Sequence, residues 1–231
     1  MDTLPFYIYA TFSLTVLLAL FIFYRAAKPA NTFLIITMSW IAAQSTLALM
    51  GFYKIIDAVP PRLPLMALPP LIFIAVLFNT KAGKLFIDSL NIKTLTIFHI
   101  IRVPVEVVLY WLYLHKAVPG LMTFEGRNFD MLSGLSAPVV YYLGFVQNKP
   151  GNTTLVVWNL ICLGLLFNIV INAVLSVPGP LQHFGFGQPN VAILYFPFVL
   201  LPAVLVPLVL FAHLATLRRC LINRQNLRAI G

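Results

Sequence analysis

The chain has 231 residues, of which 61% are hydrophobic and only 9% carry a charged side chain. A water-soluble domain carries about 25% charged residues, so the composition excludes a soluble globular protein and indicates a single membrane domain over residues 1–231. The formal net charge of +9 does not indicate a nucleic-acid partner. The basic residues lie between apolar segments or near the end of the chain, and they form no basic stripe with interleaved aromatic residues.

Seven apolar segments are candidates for crossing a bilayer, which takes about 20 residues of helix. The predicted spans cover residues 6–24, 32–53, 63–79, 94–115, 129–147, 153–177 and 191–217. The third span is short and contains Pro64, Pro69 and Pro70, so it is either re-entrant or a kinked helix covered by its neighbours. The sequence therefore predicts an all-α, polytopic membrane bundle of seven transmembrane helices, followed by a basic cytoplasmic tail at residues 218–231.

The distribution of lysine and arginine predicts the orientation of this bundle. One set of loops, together with the tail, holds ten basic residues: Arg25, Lys28, Lys81, Lys84, Lys93, Lys149, Arg218, Arg219, Arg224 and Arg228. The other set holds four: Lys54, Arg62, Lys116 and Arg127. Basic residues favour cytoplasmic loops, so we predict that the C-terminus is cytoplasmic and the N-terminus is outside.

Two segments at the predicted cytoplasmic side add to this topology. No basic segment precedes the first span, while Arg25 and Lys28 follow it, so we expect a retained anchor and not a cleaved signal. The stretch between Lys81 and Lys93 is mildly amphipathic and is predicted to lie at the membrane interface. The protein is expected in a plasma or inner membrane.

The fourth span carries several polar residues inside an apolar helix. His99, Arg102 and Glu106 are spaced three and four residues apart, which places them on one helical face, and Tyr110 and Tyr113 extend it. An arginine near the bilayer centre costs about 2.5–3.5 kcal/mol on insertion scales. A residue with such an insertion cost usually has a structural or functional role, so this face is the first candidate for a functional site.

Two interpretations of this face remain open. In one, Arg102 and Glu106 neutralise each other as an ion pair within the helix. In the other, they belong to a ligand or proton site between the second, fourth and sixth spans. Asn168 and Asn172 would then contribute from the sixth span. The second span would contribute Thr37, Trp40 and Gln44.

A second group of polar residues lies in the predicted outer loops. His115, Glu125, Asp130 and His183 could complete a zinc site with one open position. Their spacing matches no helical metal motif such as HExxH. The alternative is an ordered outer loop held by hydrogen bonds and by a pair between Arg127 and a nearby carboxylate.

The leading hypothesis is a protein that binds or transports a small polar or amphipathic molecule, with the lipid bilayer as its surroundings. Arg102 would bind an anionic group or balance Glu106, while Glu106 and His99 would exchange protons. The residues that would orient the ligand are Tyr110, Tyr113, Asn168 and Asn172. The alternatives are a membrane-embedded, metal-dependent hydrolase or lipid-modifying enzyme with zinc at the outer cluster, and a structural subunit of a membrane complex.

Overall fold

The computed structural model describes residues 4–27, 31–147 and 152–230, and these contain helices and no strand. The α-helices are α1 (Phe6–Ala27), α2 (Asn31–Leu49), α3 (Pro64–Asn79), α4 (Lys81–Ser89), α5 (Ile92–Phe98), α6 (Arg102–Leu114), α7 (Met131–Tyr141), α8 (Asn152–Val174) and α9 (Val206–Ile230). A 3₁₀ turn at His99–Ile101 joins α5 to α6 in one helical run. Single π-helical stretches at Tyr142–Val146 and Leu201–Leu205 extend α7 and lead into α9.

Five helical runs are long and apolar enough to cross a membrane: Phe6–Ala27, Asn31–Leu49, Ile92–Leu114, Thr153–Val174 and Leu201–Ile222. Helices α3 and α4 make a sixth candidate if they are taken as one span, although they meet at an angle of 94°. The described residues thus confirm an all-helical architecture with five or six candidate spans. The predicted number of seven and the orientation of the termini stay predictions.

The outward faces of the long helices are apolar. On α1, Leu14, Leu17 and Phe21 are each at least 60% exposed, and on α8 Ile161 and Ile171 are more than half exposed. Contiguous apolar surface of this extent is rare on proteins surrounded by water. The arrangement is compatible with a multi-pass membrane protein whose outer side chains contact lipid.

Helix α4 lies at the end of the bundle where α1 and α9 carry basic residues. Thr80 caps α4 by accepting a hydrogen bond from the Gly83 N–H at 3.2 Å. Asp88 accepts two hydrogen bonds from the Arg218 guanidinium at 3.0 and 3.1 Å, and the Asp88 carbonyl accepts one from Arg219. Both arginines belong to the larger predicted basic set, of which Lys28 and Lys149 lie outside the described residues.

The fifth predicted span, 129–147, corresponds to a shorter apolar run, Met131–Val146. Asp130 precedes it and contacts Arg102. Arg102 lies near the middle of the run Ile92–Leu114, about 15 Å from one end and about 18 Å from the other. The chain from Met122 to Asp130, here called the re-entrant segment, is exposed at residues 124–127 and then enters the bundle, where Asp130 reaches Arg102 before α7 begins.

The last predicted span is also shorter than expected, because regular α-helix is absent from residues 191–199. This stretch contains a 3₁₀ turn at Ala192–Leu194 and is largely buried. Pro197 and Pro202 have no backbone N–H and disfavour helix at the residues before them. The N–H groups of Val191 and Ala192 instead donate to the Ala117 carbonyl, which ties this stretch to the end of α6.

Close packing between α7 and α6 depends on a glycine. A Cβ atom at Gly134 would lie 2.8 Å from Cγ2 of Val103 and 3.3 Å from Cβ of Arg102. At Gly164 on α8 it would meet nothing within 4 Å. Gly134→Ala is therefore expected to destabilise the protein by about 1–3 kcal/mol through overpacking.

Gly164→Ala is the matched control, and it is expected to leave stability unchanged or slightly raised, because alanine favours helix by about 1 kcal/mol over glycine. Thermal unfolding of both variants in the same detergent measures the difference. Equal melting temperatures for the two variants would contradict the close approach of α7 to α6.

Candidate functional site

Arg102 lies at the centre of a buried polar network. Its side chain is 3% exposed. One Nη atom lies 2.9 Å from the Asp130 carboxylate, and the same atom donates to the Cys162 carbonyl at 3.4 Å. The other Nη lies 3.0 Å from Nε2 of His213. The guanidinium thus connects α6 with the re-entrant segment, α8 and α9.

The contact with Arg102 determines the protonation of His213. A guanidinium can only donate hydrogen bonds, so Nε2 of His213 must accept one and carries no proton. Nδ1 of His213 lies 2.8 Å from Oδ1 of Asn159, which can only accept, so Nδ1 carries the proton. The amide of Asn159 donates to the Leu155 carbonyl at 2.8 Å, which fixes its own orientation. His213 is therefore neutral in this arrangement.

Asn128 connects the re-entrant segment to Glu106. Its Nδ2 donates to Oε1 of Glu106 at 2.5 Å and to the Met122 carbonyl at 3.0 Å. Its Oδ1 accepts from the Asp130 N–H at 3.0 Å. One side chain therefore holds the turn before α7 and binds one oxygen of a buried carboxylate, and this explains how an irregular segment is stable at mid-depth.

His99 is fully buried beside this network without a hydrogen bond at either ring nitrogen. Its ring stacks on the ring of His213, with centroids 3.9 Å apart and planes 16° from parallel, and the Trp158 ring contacts it edge-on at 5.5 Å. Trp158 donates in turn to the Ser136 hydroxyl at 2.9 Å. His99 thus fills space among aromatic rings in this arrangement and does not complete the polar network.

A cavity of about 130 Å³ lies against the charged part of the network. Arg102, Glu106 and Asp130 contribute to its lining, and all its other lining residues are apolar. The apolar lining residues include Leu109, Leu166, Ile169, Val170, Ala173 and Val209. Three atoms of these charged residues have no hydrogen-bond partner, namely the acceptors Oε2 of Glu106 and Oδ1 of Asp130 and the donor Nε of Arg102, although Oδ1 of Asp130 forms the ion pair with Arg102.

A larger cavity of about 470 Å³ lies between α2, α3 and the last helix, but no charged residue lines it. A buried polar atom without a hydrogen-bond partner is costly. Where space allows, a ligand or an ordered water molecule supplies the missing partner. The smaller cavity is therefore the better candidate for a polar ligand.

The predicted ion pair between Arg102 and Glu106 is replaced by another in the structure. Arg102 pairs with Asp130, while Glu106 accepts from Asn128. A lone guanidinium in a low-dielectric interior needs a counter-charge at contact distance, and the re-entrant segment brings Asp130 to 2.9 Å. Local spacing on one helix identified the right cation and the wrong partner.

The second span does not contribute to the polar cavity as expected. Trp40 donates to the Ala203 carbonyl at 2.9 Å, and Gln44 accepts from the Tyr53 hydroxyl at 2.6 Å. Thr37 donates back to the Phe33 carbonyl at 2.9 Å. These residues hold α2 to its neighbours, so the cavity lies between α6, α8 and the chain around α9 instead.

Four of the predicted ligand residues lie toward the loop end of the bundle. Tyr110 hydrogen-bonds to Glu125, and its ring contacts that of Tyr113 at 6.4 Å. Asn168 donates to the Arg127 carbonyl at 2.7 Å, and Asn172 donates to Asn168. None of these four lines the cavity. Of the seven predicted ligand residues, Arg102 and Glu106 line it and His99 lies beside the network.

The predicted zinc ligands serve other contacts. His115 and His183 are exposed, and each places Nδ1 at 2.9 Å from a nearby backbone carbonyl. Glu125 is exposed and Asp130 is buried against Arg102. In the part of the chain that the structure describes, no three His, Cys, Asp or Glu side chains are grouped to hold a metal ion. The zinc hypothesis therefore gains no support from the geometry.

Three residues of the network were not predicted as site residues, namely Asn128, Asn159 and His213. Asn159 and His213 could have been selected as polar residues inside apolar spans, which is the signal that selected Arg102. Asn128 has no such signal, because it precedes a predicted span in a polar stretch. No family model, curated protein or solved structure matches this chain. The geometry alone therefore supports a functional hypothesis.

The pairing of Arg102 can be tested by double-mutant cycles. Asp130→Asn leaves the guanidinium without its counter-charge and is expected to destabilise the protein by about 3–5 kcal/mol. Combining Arg102→Leu with Asp130→Asn should recover part of this loss, because the two changes remove one interaction. A cycle of Arg102→Leu with Glu106→Gln should give a smaller coupling energy.

Unfolding free energies in detergent provide both coupling energies, and Asp57→Asn, at an exposed loop position, is the control for loss of an aspartate. A larger coupling energy for Arg102 with Glu106 than with Asp130 would contradict the observed pairing.

Proposed function

We propose that this protein is a multi-pass protein of a plasma or inner membrane that binds a small polar or amphipathic molecule in the cavity beside Arg102, Glu106 and Asp130, and that it carries this molecule across the bilayer. The observation that supports the proposal is the free oxygen of Glu106. The residue is 2% exposed and lines a cavity of about 130 Å³, yet Oε2 has no partner.

The rest of the lining fits such a ligand. Small-molecule sites are mostly apolar with a few convergent polar groups, and this cavity has three ionisable side chains among apolar ones. The unpartnered Nε of Arg102 adds a donor four residues from the free acceptor on the same helix. A ligand with polar atoms at one end and an apolar remainder would satisfy both parts of the wall.

Transport is favoured over simple binding by the position of the cavity. It lies near the middle of the run Ile92–Leu114, where the re-entrant segment interrupts the packing of complete helices. Irregular backbone at membrane depth is typical of segments that line a cavity or a pathway. Many transporters bind their substrates near the bilayer midplane.

The proposal is tested by filling the cavity. Purified protein in lipid nanodiscs is exposed to a panel of amines, alcohols, amides and carboxylates of two to five carbons, and a rise in melting temperature identifies compounds that bind. Ala173→Phe places a large ring in the cavity wall and is expected to lower affinity for any such compound by about tenfold or more.

Val157→Phe, on an outward-facing position of the same helix α8, is the control and should bind like the unmodified protein. Uptake of the binding compound into proteoliposomes then distinguishes transport from binding alone. Unchanged affinity in the Ala173→Phe protein would show that the cavity is not the binding site.

A further inference from the structure

We infer that the ligand of this cavity is a small primary alkylammonium ion, whose charged nitrogen binds Oε2 of Glu106 in exchange for a proton. The inference rests on the proposed function and specifies the chemical class of its ligand. It follows from the balance of charge at the site, from the atoms left without partners, and from the apolar remainder of the cavity.

The buried charges near the cavity do not balance. Arg102 provides one positive charge, and Asp130 and Glu106 provide two carboxylates. His213 is neutral, because Nε2 accepts from Arg102. His99, stacked on His213, has no acceptor that would stabilise an added proton. With Asp130 paired to Arg102, the second carboxylate requires a proton or a cation.

The remaining titratable group near the pair is the Cys162 thiol on α8, whose backbone carbonyl already accepts from Arg102. A neutral thiol leaves the charge count unchanged. The groups that face Glu106 from α6, α8, α9 and the re-entrant segment therefore leave one negative charge to be compensated from outside the chain.

The free atom of Glu106 suits an ammonium group. Oε1 is occupied by Asn128, while Oε2 is an acceptor without a donor. A primary ammonium has three donors and no acceptor, so it satisfies this oxygen, and its further N–H groups suit the unpartnered Oδ1 of Asp130 in the lining of the same cavity. Metal cations such as Ca²⁺ take six or more oxygen ligands, which the largely apolar lining does not supply.

The apolar lining accounts for the rest of the ligand. The charged residues lie together at one side of the lining: Arg102 pairs with Asp130, and Asn128 donates to the Glu106 carboxylate while accepting from the Asp130 backbone N–H. The side chains of α8 and α9 that complete the lining, such as Leu166, Val170 and Val209, are aliphatic. A short alkyl chain contacts them without leaving further polar atoms unpaired.

Binding is then an exchange of cations. Without ligand, a proton on Glu106 balances the site. When the alkylammonium ion enters, the O–H bond of the carboxylic acid breaks, the proton leaves to water, and the N–H groups of the ligand hydrogen-bond to the carboxylate. One positive charge leaves as one enters, so the net charge of the buried site does not change.

The test uses n-propylammonium with two matched probes, the neutral n-propanol and the anionic propionate, in nanodiscs of zwitterionic lipid. Isothermal titration calorimetry is expected to show that propylammonium binds at least about tenfold more tightly than either matched probe. Repeating the titration in buffers of different ionisation enthalpy should show release of up to about one proton per ion bound. Affinity should fall as the pH falls, because protons compete for the same oxygen.

Variants separate the charge requirement from the cavity. Glu106→Gln should lower propylammonium affinity at least about tenfold, and Glu106→Asp, which retains the charge, should bind with intermediate affinity. Glu125→Gln is the control for the same substitution outside the cavity and should bind normally. The melting temperature of each variant establishes that it is folded, and Glu106→Asp provides the comparison if the glutamine variant does not fold.

Two results would overturn the inference. The first is binding of n-propanol or propionate as tight as that of propylammonium. The second is propylammonium binding that survives in Glu106→Gln or releases no proton at any pH. If Ala173→Phe still blocks the binding seen in either case, the cavity remains the binding site and only the inferred charge of the ligand is wrong. If Ala173→Phe blocks nothing, the proposed function itself fails.

Discussion

The ion pair between Arg102 and Asp130 is the interaction on which the architecture around the cavity depends. A guanidinium at the middle of an apolar helix is costly unless a counter-charge reaches it, and in a low-dielectric interior that partner must be in contact. Asp130 meets this requirement at 2.9 Å only because the chain before α7 descends into the bundle. The same segment places Asn128 against Glu106, which lines the cavity.

The polar network around this pair joins separately packed elements through single contacts. His213 on α9 connects Arg102 to Asn159 on α8, and Asn128 connects Asp130 to Glu106. Each donor in these contacts meets an acceptor, which fixes tautomers and amide orientations as well as helix positions. Among the atoms without a hydrogen-bond partner, Nε of Arg102, Oε2 of Glu106 and Oδ1 of Asp130 belong to residues that line the cavity. Polar atoms held in place at a cavity wall are what a preorganised binding site presents to a ligand.

The sequence predicted the helical class and most of the long helices, because a membrane allows few alternatives to helix and hydropathy marks each helix directly. It also identified Arg102 and Glu106, since charge inside an apolar segment is rare. The ion pair of Arg102 with Asp130 was not predictable by the same reasoning. Helical spacing predicts Glu106 as the partner of Arg102, whereas Asp130 comes into contact only because the re-entrant segment folds back against α6. Hydropathy predicts helix for the proline-rich start of the last span, because it does not detect missing backbone donors.

The separation of Arg102 from its partners along the chain has a consequence for biosynthesis. Asp130 follows Arg102 by 28 residues, since 130 − 102 = 28, and His213 follows it by 111. At synthesis rates of about 5–20 residues per second, these partners emerge about 1–6 s and about 6–22 s after the arginine. During that interval Glu106, about one helical turn from Arg102, is the nearest carboxylate along the chain.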